Sequence, residues 1–207
     1  MKLFAIIMGS MILFASSCTQ HENKHPDMSA PSGQPNPVGE STSASMDRMM
    51  NMKMSGDVDY DYAMMMVAHH QAAIDMSNVE IEKGADDSVK ALAKNIKLAQ
   101  AREISMMEAY MRSRSDVDGV NLSKEQDEDS KRTMNKMMTG MHSNPTGSID
   151  RDYINMMIPH HQAAIDMNNS FLSKGKAKEM IDMANSINTE QKNEIAYMQR
   201  WLAVHAK

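Results

Sequence analysis

The string HHQAAIDM occurs twice, as His69–Met76 and again as His160–Met167, and it decides the fold. The two copies lie 91 residues apart (160 − 69), and the match extends without a gap over residues 59–84 and 150–175. The same register continues over residues 96–107 and 187–198, where Ile, Gln, Glu, Ile and Met recur in the same order. A repeat of this length and fidelity indicates a duplicated structural unit.

Each unit is predicted to form a helical hairpin. Acidic residues stand where the first helix of each unit begins, which suits the positive end of a helix dipole. Apolar residues recur at helical spacing in the second helices, and neither unit shows the alternation of a strand. Two such hairpins predict an all-α four-helix bundle. The predicted helices are Asp59–Gly84, Asp87–Arg112, Ile149–Lys174 and Ala177–Val204, with an extra Met-rich connecting helix from Lys124 to about Met141.

The N-terminal residues predict export and a lipid anchor. Residues 1–17 carry one Lys, an apolar run and then small residues, which is the pattern of a secretory signal peptide. Cys18 follows in a context that resembles a bacterial lipobox, although Ala15 stands where Leu is usual. We therefore predict a lipidated Cys18, with an ordinary cleaved signal as the alternative.

The rest of the chain divides into a tether and a bundle. Residues 18–45 are rich in Pro, Ser, Thr and Gly with few large apolar residues, which predicts a flexible tether. Residues 46–207 are predicted to form the duplicated helical bundle, with units of about 46–113 and 134–207.

The composition excludes several function classes. The single Cys rules out a disulfide framework within the chain and any Cys-built metal site. A net charge of −5 argues against a nucleic-acid-binding surface. The sequence has neither a Gly-rich phosphate loop nor a nucleophilic Ser elbow, so we do not expect an enzyme. A di-iron site is disfavoured because the one Glu-x-x-His motif, Glu22–His25, falls in the tether.

Methionine and histidine indicate a copper-binding protein. The chain contains 26 Met among 207 residues, and thioether and imidazole are ligands that suit copper, with thioether favouring Cu(I). Residues three, four and seven apart share one face of a helix, so each HHQAAIDM string lies within reach of several Met side chains. The candidate ligands are His69, His70, Met65, Met66 and Met76 in the first unit and His160, His161, Met156, Met157 and Met167 in the second.

Two further Met clusters lie among polar residues, which suggests thioether sites on the surface rather than core packing. Packing remains the alternative for any single Met, because Met is an adaptable core residue. These clusters contribute Met49, Met50, Met52, Met54, Met137, Met138 and Met141 as additional candidate ligands.

Polar residues near the inward stripes are candidates for orienting the ligands. Buried polar groups need hydrogen-bond partners, and metal-bound imidazoles usually donate to a carboxylate or carbonyl. Positions facing water are the alternative for all of these residues. Pro159, which the first unit lacks, is predicted to make the two units unequal by removing a helix donor. The candidate supporting residues are Asp75, Asp166, Gln100, Glu103, Gln191 and Glu194.

The doubled HHQAAIDM string, followed by Gln-x-x-Glu-Ile-x-x-Met, resembles the family catalogued as domain of unknown function 305. The resemblance covers about Asp59 to Lys207 and implies a ferritin-like helical bundle. Its Met-rich, CopM-like members are implicated in periplasmic copper binding and resistance. Carried onto this chain, the pattern touches His69, His70, Met76, His160, His161 and Met167.

These observations predict a lipid-anchored copper-binding protein outside the cytoplasm, in the periplasm or at the outer membrane, that sequesters or transfers copper ions. A copper efflux or chaperone protein is a candidate partner. The alternative is a structural or interaction bundle, in which the His pairs hold the helices together and the Met surface docks an envelope partner. An oxidase acting on Cu(I) is disfavoured because the chain has no Cys-containing copper site.

Overall fold

A computed structural model describes residues 36–114, 117 and 144–206, and all regular secondary structure in these ranges is helical. The four long helices confirm the predicted ones, with every end within two residues. The signal peptide, Cys18 and the predicted connecting helix lie outside the described residues. The helices are α1 (Pro37–Ser41), α2 (Ser43–Met50), α3 (Val58–Lys83), α4 (Asp87–Ser113), α5 (Ile149–Leu172) and α6 (Lys178–Val204).

Side-chain caps fix where the long helices begin. The carboxylate of Asp57 accepts from the backbone N–H of Tyr60, and Asp86 accepts from Ser88 and Val89. Ser148 caps α5 in the same way by accepting from Arg151. These bonds satisfy backbone donors that the first turn of a helix leaves unpaired.

The two hairpins also cap each other. Oδ1 of Asp59 on α3 accepts from the backbone N–H groups of Lys176 and Ala177, both at 2.9 Å, just before α6. Oδ1 of Asp150 on α5 accepts from Ala85 and Asp86 at 2.9 and 2.8 Å, just before α4. The two sets of partners are related by the 91-residue offset. The duplication therefore produces a pseudo-twofold pair rather than two independent hairpins.

The core consists of two apolar clusters. One contains Tyr62, Met66, Met107 and Phe171, and the other contains Met76, Ile96, Tyr153, Met157 and Met198. Each cluster combines the first half of one central helix with the second half of the other, so α3 and α5 run antiparallel. Helix α3 packs against α4, α5 packs against α6, and α3 packs against α5 across the pseudo-twofold.

Helices α1 and α2 pack on the bundle. The predicted end of the tether at residue 45 is therefore wrong. Val38 is fully buried, and the hydroxyl of Ser45 donates to Asp75 of α3 at 2.9 Å. Residues 37–45 are therefore part of the folded unit, because Val38 supplies an apolar contact that the Pro- and Ser-rich composition conceals. None of the helices in the described ranges has an apolar stretch long enough to cross a bilayer.

Candidate metal centre

A polar layer separates the two apolar clusters. Each of the four long helices contributes two residues to it, at the point where that helix passes from one cluster to the other. All four histidines are completely buried, whereas Gln and Glu from α4 and α6 close the outer sides. Small Ala neighbours, including the fully buried Ala73 and Ala164, let the two central helices approach. The polar layer consists of His69, His70, Gln100, Glu103, His160, His161, Gln191 and Glu194.

Carboxylates hold one imidazole of each pair. Nε2 of His161 lies 2.7 Å from Oε2 of Glu194 and forms a hydrogen bond with it. Nε2 of His70 lies equally close to Oε2 of Glu103, but this contact lacks the alignment of a hydrogen bond. A carboxylate at this distance favours the proton on Nε2, which leaves the Nδ1 lone pair available. With the proton on Nε2, Nδ1 of His70 and of His161 is the nitrogen that can bind a metal.

The other two imidazoles stack on each other across the pseudo-twofold. The ring centroids of His69 and His160 are 3.7 Å apart with an interplanar angle of 33°. Nε2 of His160 is 3.2 Å from the backbone carbonyl oxygen of His69, and donation of its proton leaves Nδ1 of His160 free. Burial, and secondly the neighbouring imidazoles, hold the pKa of both rings well below the usual 6.5. Both are neutral near pH 7, the state in which imidazole binds metals.

The layer contains an unusual number of unpartnered polar atoms. Nδ1 of all four histidines has no hydrogen-bond partner, and neither do the side-chain amides of Gln100 and Gln191. Each such atom costs roughly 1–3 kcal/mol when buried, so folded proteins seldom retain a group of them without a bound ligand or water. The donor set, neutral imidazole nitrogen beside amide oxygen and nearby Met, fits copper.

The histidines do not form a ready-made cage. Within residues 36–114, 117 and 144–206, no three His, Cys, Asp or Glu side chains come together as a metal-binding group. The rings of His69 and His160 are tilted by 33° with centroids 3.7 Å apart, and Nε2 of His160 is directed at the backbone carbonyl oxygen of His69. Binding through imidazole therefore requires side-chain rotation or completion of the ligand set by thioethers.

The methionines predicted beside the histidines lie mainly in the core. Met66, Met76 and Met157 are fully buried, and Met156 and Met167 are nearly so. Met65 is half-buried. Met66 and Met157 each precede a layer histidine by one helical turn, so thioethers flank the layer on its apolar sides.

The structure corrects the interpretation of Met49, Met50, Met52 and Met54 as a surface cluster. Met49 and Met54 are 4% and 9% exposed and belong to the apolar cluster with Tyr62 and Met66. Met52 is half-buried, and Met50 is exposed. The prediction failed for the buried pair because α2 folds back on α3, so intervening polar residues point outward while these thioethers point inward. Met137, Met138 and Met141 lie outside the described residues.

The predicted supporting residues separate into two groups. Glu103 and Glu194 contact layer histidines, and Gln100 and Gln191 are buried within the layer. Asp75 instead accepts from Ser45 and Gln71 and thereby ties α2 to α3. Asp166 accepts from Gln162, one helical turn away on the same helix. Helix α5 continues through Pro159 from Ile149 to Leu172.

Several contacts at the ends of the bundle were not anticipated. The hydroxyl of Tyr62 donates to Asn168, and that of Tyr153 pairs with Ser77, at 2.8 and 3.0 Å. These pairs obey the 91-residue offset (62 + 91 = 153 and 77 + 91 = 168). The repeat itself was the available signal, because a pseudo-twofold axis makes each contact between the two units occur twice, with the units exchanged.

Comparison with known proteins identifies the family. The sequence profile of DUF305, a domain of unknown function, matches residues 59–202. The chain belongs to the DUF305 family. No curated protein sequence matches it.

The chain is also similar to solved structures of CopM. The Cu(I)-bound form matches with a TM-score of 0.56 and 28% identity, covering 72% of this chain and 98% of CopM. The Ag-bound form matches at 0.54 and 28%, covering 70% and 95%. A DUF305 fragment from Deinococcus radiodurans matches at 0.54 and 26%, covering 70% and 95%. A Cu(II)-bound form of CopM is similar as well.

Proposed function

We propose that this DUF305 protein binds copper ions through its polar layer and the adjoining thioethers, and so sequesters or transfers copper. The observation that carries the proposal is the set of four buried Nδ1 atoms without partners, beside carboxylates that hold Nε2 of His70 and His161. The similarity to CopM in its Cu(I)-, Cu(II)- and Ag-bound forms supports it. Cu(I) is the favoured form because buried thioethers flank the layer on both apolar sides.

Copper titration of a layer variant tests the proposal. Replacing His69, His70, His160 and His161 with Gln should abolish the tightest Cu(I) binding in equilibrium competition with a Cu(I) chelator at pH 7. His205 lies outside the layer with its ring on Trp201, so His205→Gln is the matched control and should leave binding unchanged. Unchanged tight binding in a folded layer variant would reject the layer as the copper site.

The pH dependence separates thioether from imidazole ligands. Thioethers carry no proton, whereas imidazole must remain unprotonated to bind. We expect part of the Cu(I) capacity to survive at pH 5, and X-ray absorption of that species should show sulfur ligation. Loss of all capacity at pH 5 would assign copper to the imidazoles alone.

A structural role for the histidines is the second candidate function. The stacked rings and the two Glu–His contacts join four helices, which is the arrangement expected if the layer fixes the register of the bundle. In that case the layer variant loses stability without losing copper. Circular dichroism melts with and without Cu(I), recorded beside the titration, separate this role from ligation.

The proposed location is outside the cytoplasm, at a membrane to which a lipid on Cys18 anchors the chain. The support is the sequence of residues 1–18, an apolar signal that ends at the only Cys of the chain. Cys18→Ser should release the protein from membrane fractions while its copper stoichiometry stays the same. Finding the wild-type protein in the soluble fraction after lysis would favour an ordinary cleaved signal.

A further inference from the structure

A groove of about 780 Å³ opens between the C-terminal half of α4 and the N-terminal half of α6. The two helices lie side by side there without the close packing that joins α3 to α4. Residues from α4 line one wall and residues from α6 line the other. The lining residues used below are Glu103, Met106, Glu179, Asp182, Met183 and Glu190.

The lining combines thioethers with negative charge. Met106 is 51% exposed, and Met183 is half-buried on the opposite wall. The carboxylates of Glu179, Asp182 and Glu190 share the α6 wall, and Asp182 pairs with Lys178. Arg102 lines the α4 wall and offsets part of this charge, but the carboxylates outnumber it. A cleft with an excess of one sign of charge concentrates ions of the opposite sign. This groove therefore attracts cations and presents soft sulfur ligands to them.

One residue, Glu103, belongs both to the wall of the groove and to the polar layer. Glu103 lines the groove, and its Oε2 lies 2.7 Å from Nε2 of the fully buried His70. An ion in the groove is thus separated from the first layer imidazole by a single side chain.

At the other end of the bundle, called the closed end below, a side-chain hydrogen bond joins α6 to the loop before α4. Trp201 of α6 reaches the loop before α4, where its Nε1–H donates to Asp86 at 3.3 Å. The counterpart of Trp201 is Tyr110 (201 − 91), whose hydroxyl is bound by Arg114, and the counterpart of Asp86 is Ala177, which has no carboxylate. Position 106 corresponds to Tyr197 and position 183 to Leu92, so the closed end also lacks the two thioethers.

We propose that the α4–α6 groove is the uptake site for copper, resting on the copper-binding function proposed above. A soft monovalent cation is first held by the thioethers of Met106 and Met183, drawn in by Glu179 and Glu190. It then passes Glu103 to His70. Loading is expected from this end because the other end has Tyr197 and Leu92 in place of the two thioethers.

Uptake kinetics test the proposal with two double variants. Met106→Leu with Met183→Leu removes the thioethers at similar volume, and Glu179→Gln with Glu190→Gln removes two charges. Glu82→Gln with Asp87→Asn removes two exposed charges near the closed end and is the matched control. Stopped-flow absorbance should follow Cu(I) leaving a weak chelator that is present in excess.

We expect the charge variant to slow uptake by about tenfold at low ionic strength, with the difference fading at high salt. The thioether variant should be slow at every salt concentration, while the control matches the wild type. Final stoichiometry should be the same in all four proteins. If both groove variants take up Cu(I) at the wild-type rate, the groove is not the uptake site, although the copper-binding proposal still stands. A wild-type chain that takes up no Cu(I) at equilibrium would overturn both proposals.

Discussion

The two junctions at which the hairpins cap each other differ in the buried side chain that lies over the turn. At the first, Phe171 stacks on Tyr62 with centroids 3.9 Å apart and an interplanar angle of 11°. At the second, the equivalent position is Glu80 (171 − 91), which is fully buried and has no hydrogen-bond partner for either oxygen. The duplication has kept the backbone arrangement and replaced an aromatic contact by a carboxyl group.

Glycine makes both arrangements possible. A Cβ on Gly84 would lie 2.1 Å from Oε1 of Glu80, and a Cβ on Gly175 would lie 2.4 Å from the ring of Phe171. The two side chains thus fold over the same turn in each hairpin. The comparison shows that the fold tolerates either group there, and that the second junction has a buried carboxyl group where the first has an aromatic ring.

The largest expected effect comes from Glu80. Burial and the nearby Asp150 carboxylate raise the pKa of Glu80 to about 8, with Asp86 adding to the rise and Lys90 opposing it. The folded state therefore keeps a proton that the unfolded chain loses near pH 4.5. The free energy of unfolding should be highest below that pH and fall up to about pH 8, by roughly 5 kcal/mol at most, less if water enters the junction.

Chemical denaturation from pH 4 to pH 9 measures this dependence. Glu80→Gln should flatten the curve between pH 4.5 and 8 and make the protein more stable than the wild type at pH 8. Phe171→Leu is the control, because it removes an apolar contact and should lower stability equally at every pH. A wild-type slope retained in Glu80→Gln would mean that another group controls the pH dependence.

The reciprocal caps provide the second test. Asp59→Ala removes two charge-assisted hydrogen bonds and should cost about 3 kcal/mol. Asp150→Ala removes the same two bonds but also relieves repulsion with Glu80, so we expect only about 1 kcal/mol. Urea unfolding at pH 8 compares the two variants. Equal losses would show that the Glu80 and Asp150 carboxyls do not interact.

The sequence predicted most of the architecture. The repeated string and its helical spacing were sufficient for the four long helices, because periodic apolar positions and turn signals are local features. The tether boundary was wrong because burial of Val38 depends on a tertiary contact with the bundle. The burial of Met49 and Met54 was missed for the same reason, since polar neighbours in sequence say little about the path of a short helix.

The sequence singled out the residues that form the polar layer, but it did not predict how their side chains are arranged. Gln100, Glu103, Gln191 and Glu194 were singled out by their position on the inward stripes, and the structure places all four in the polar layer, three of them buried and Glu194 partly exposed. The stacking of His69 on His160 depends on how closely two helices from different units approach. The thioethers of the groove, Met106 and Met183, stand where the other repeat has Tyr197 and Leu92, which is a difference between the repeats rather than a motif.

The smallest expected effect concerns the closed end of the bundle. Trp201→Phe keeps an aromatic ring but removes the Nε1–H bond to Asp86, which should cost about 0.5–1 kcal/mol. Because this bond joins the C-terminal turn of α6 to the start of α4, amide hydrogen exchange should accelerate over residues 198–204 and stay unchanged over residues 178–186. Tyr110→Phe is the matched change at the open end and removes the bond between its hydroxyl and Arg114, so faster exchange should be confined to the end of α4. Unaltered exchange in Trp201→Phe would show that the Nε1–H bond does not hold this end closed, and the difference between the two ends would then rest on ring packing and on the thioethers of the groove.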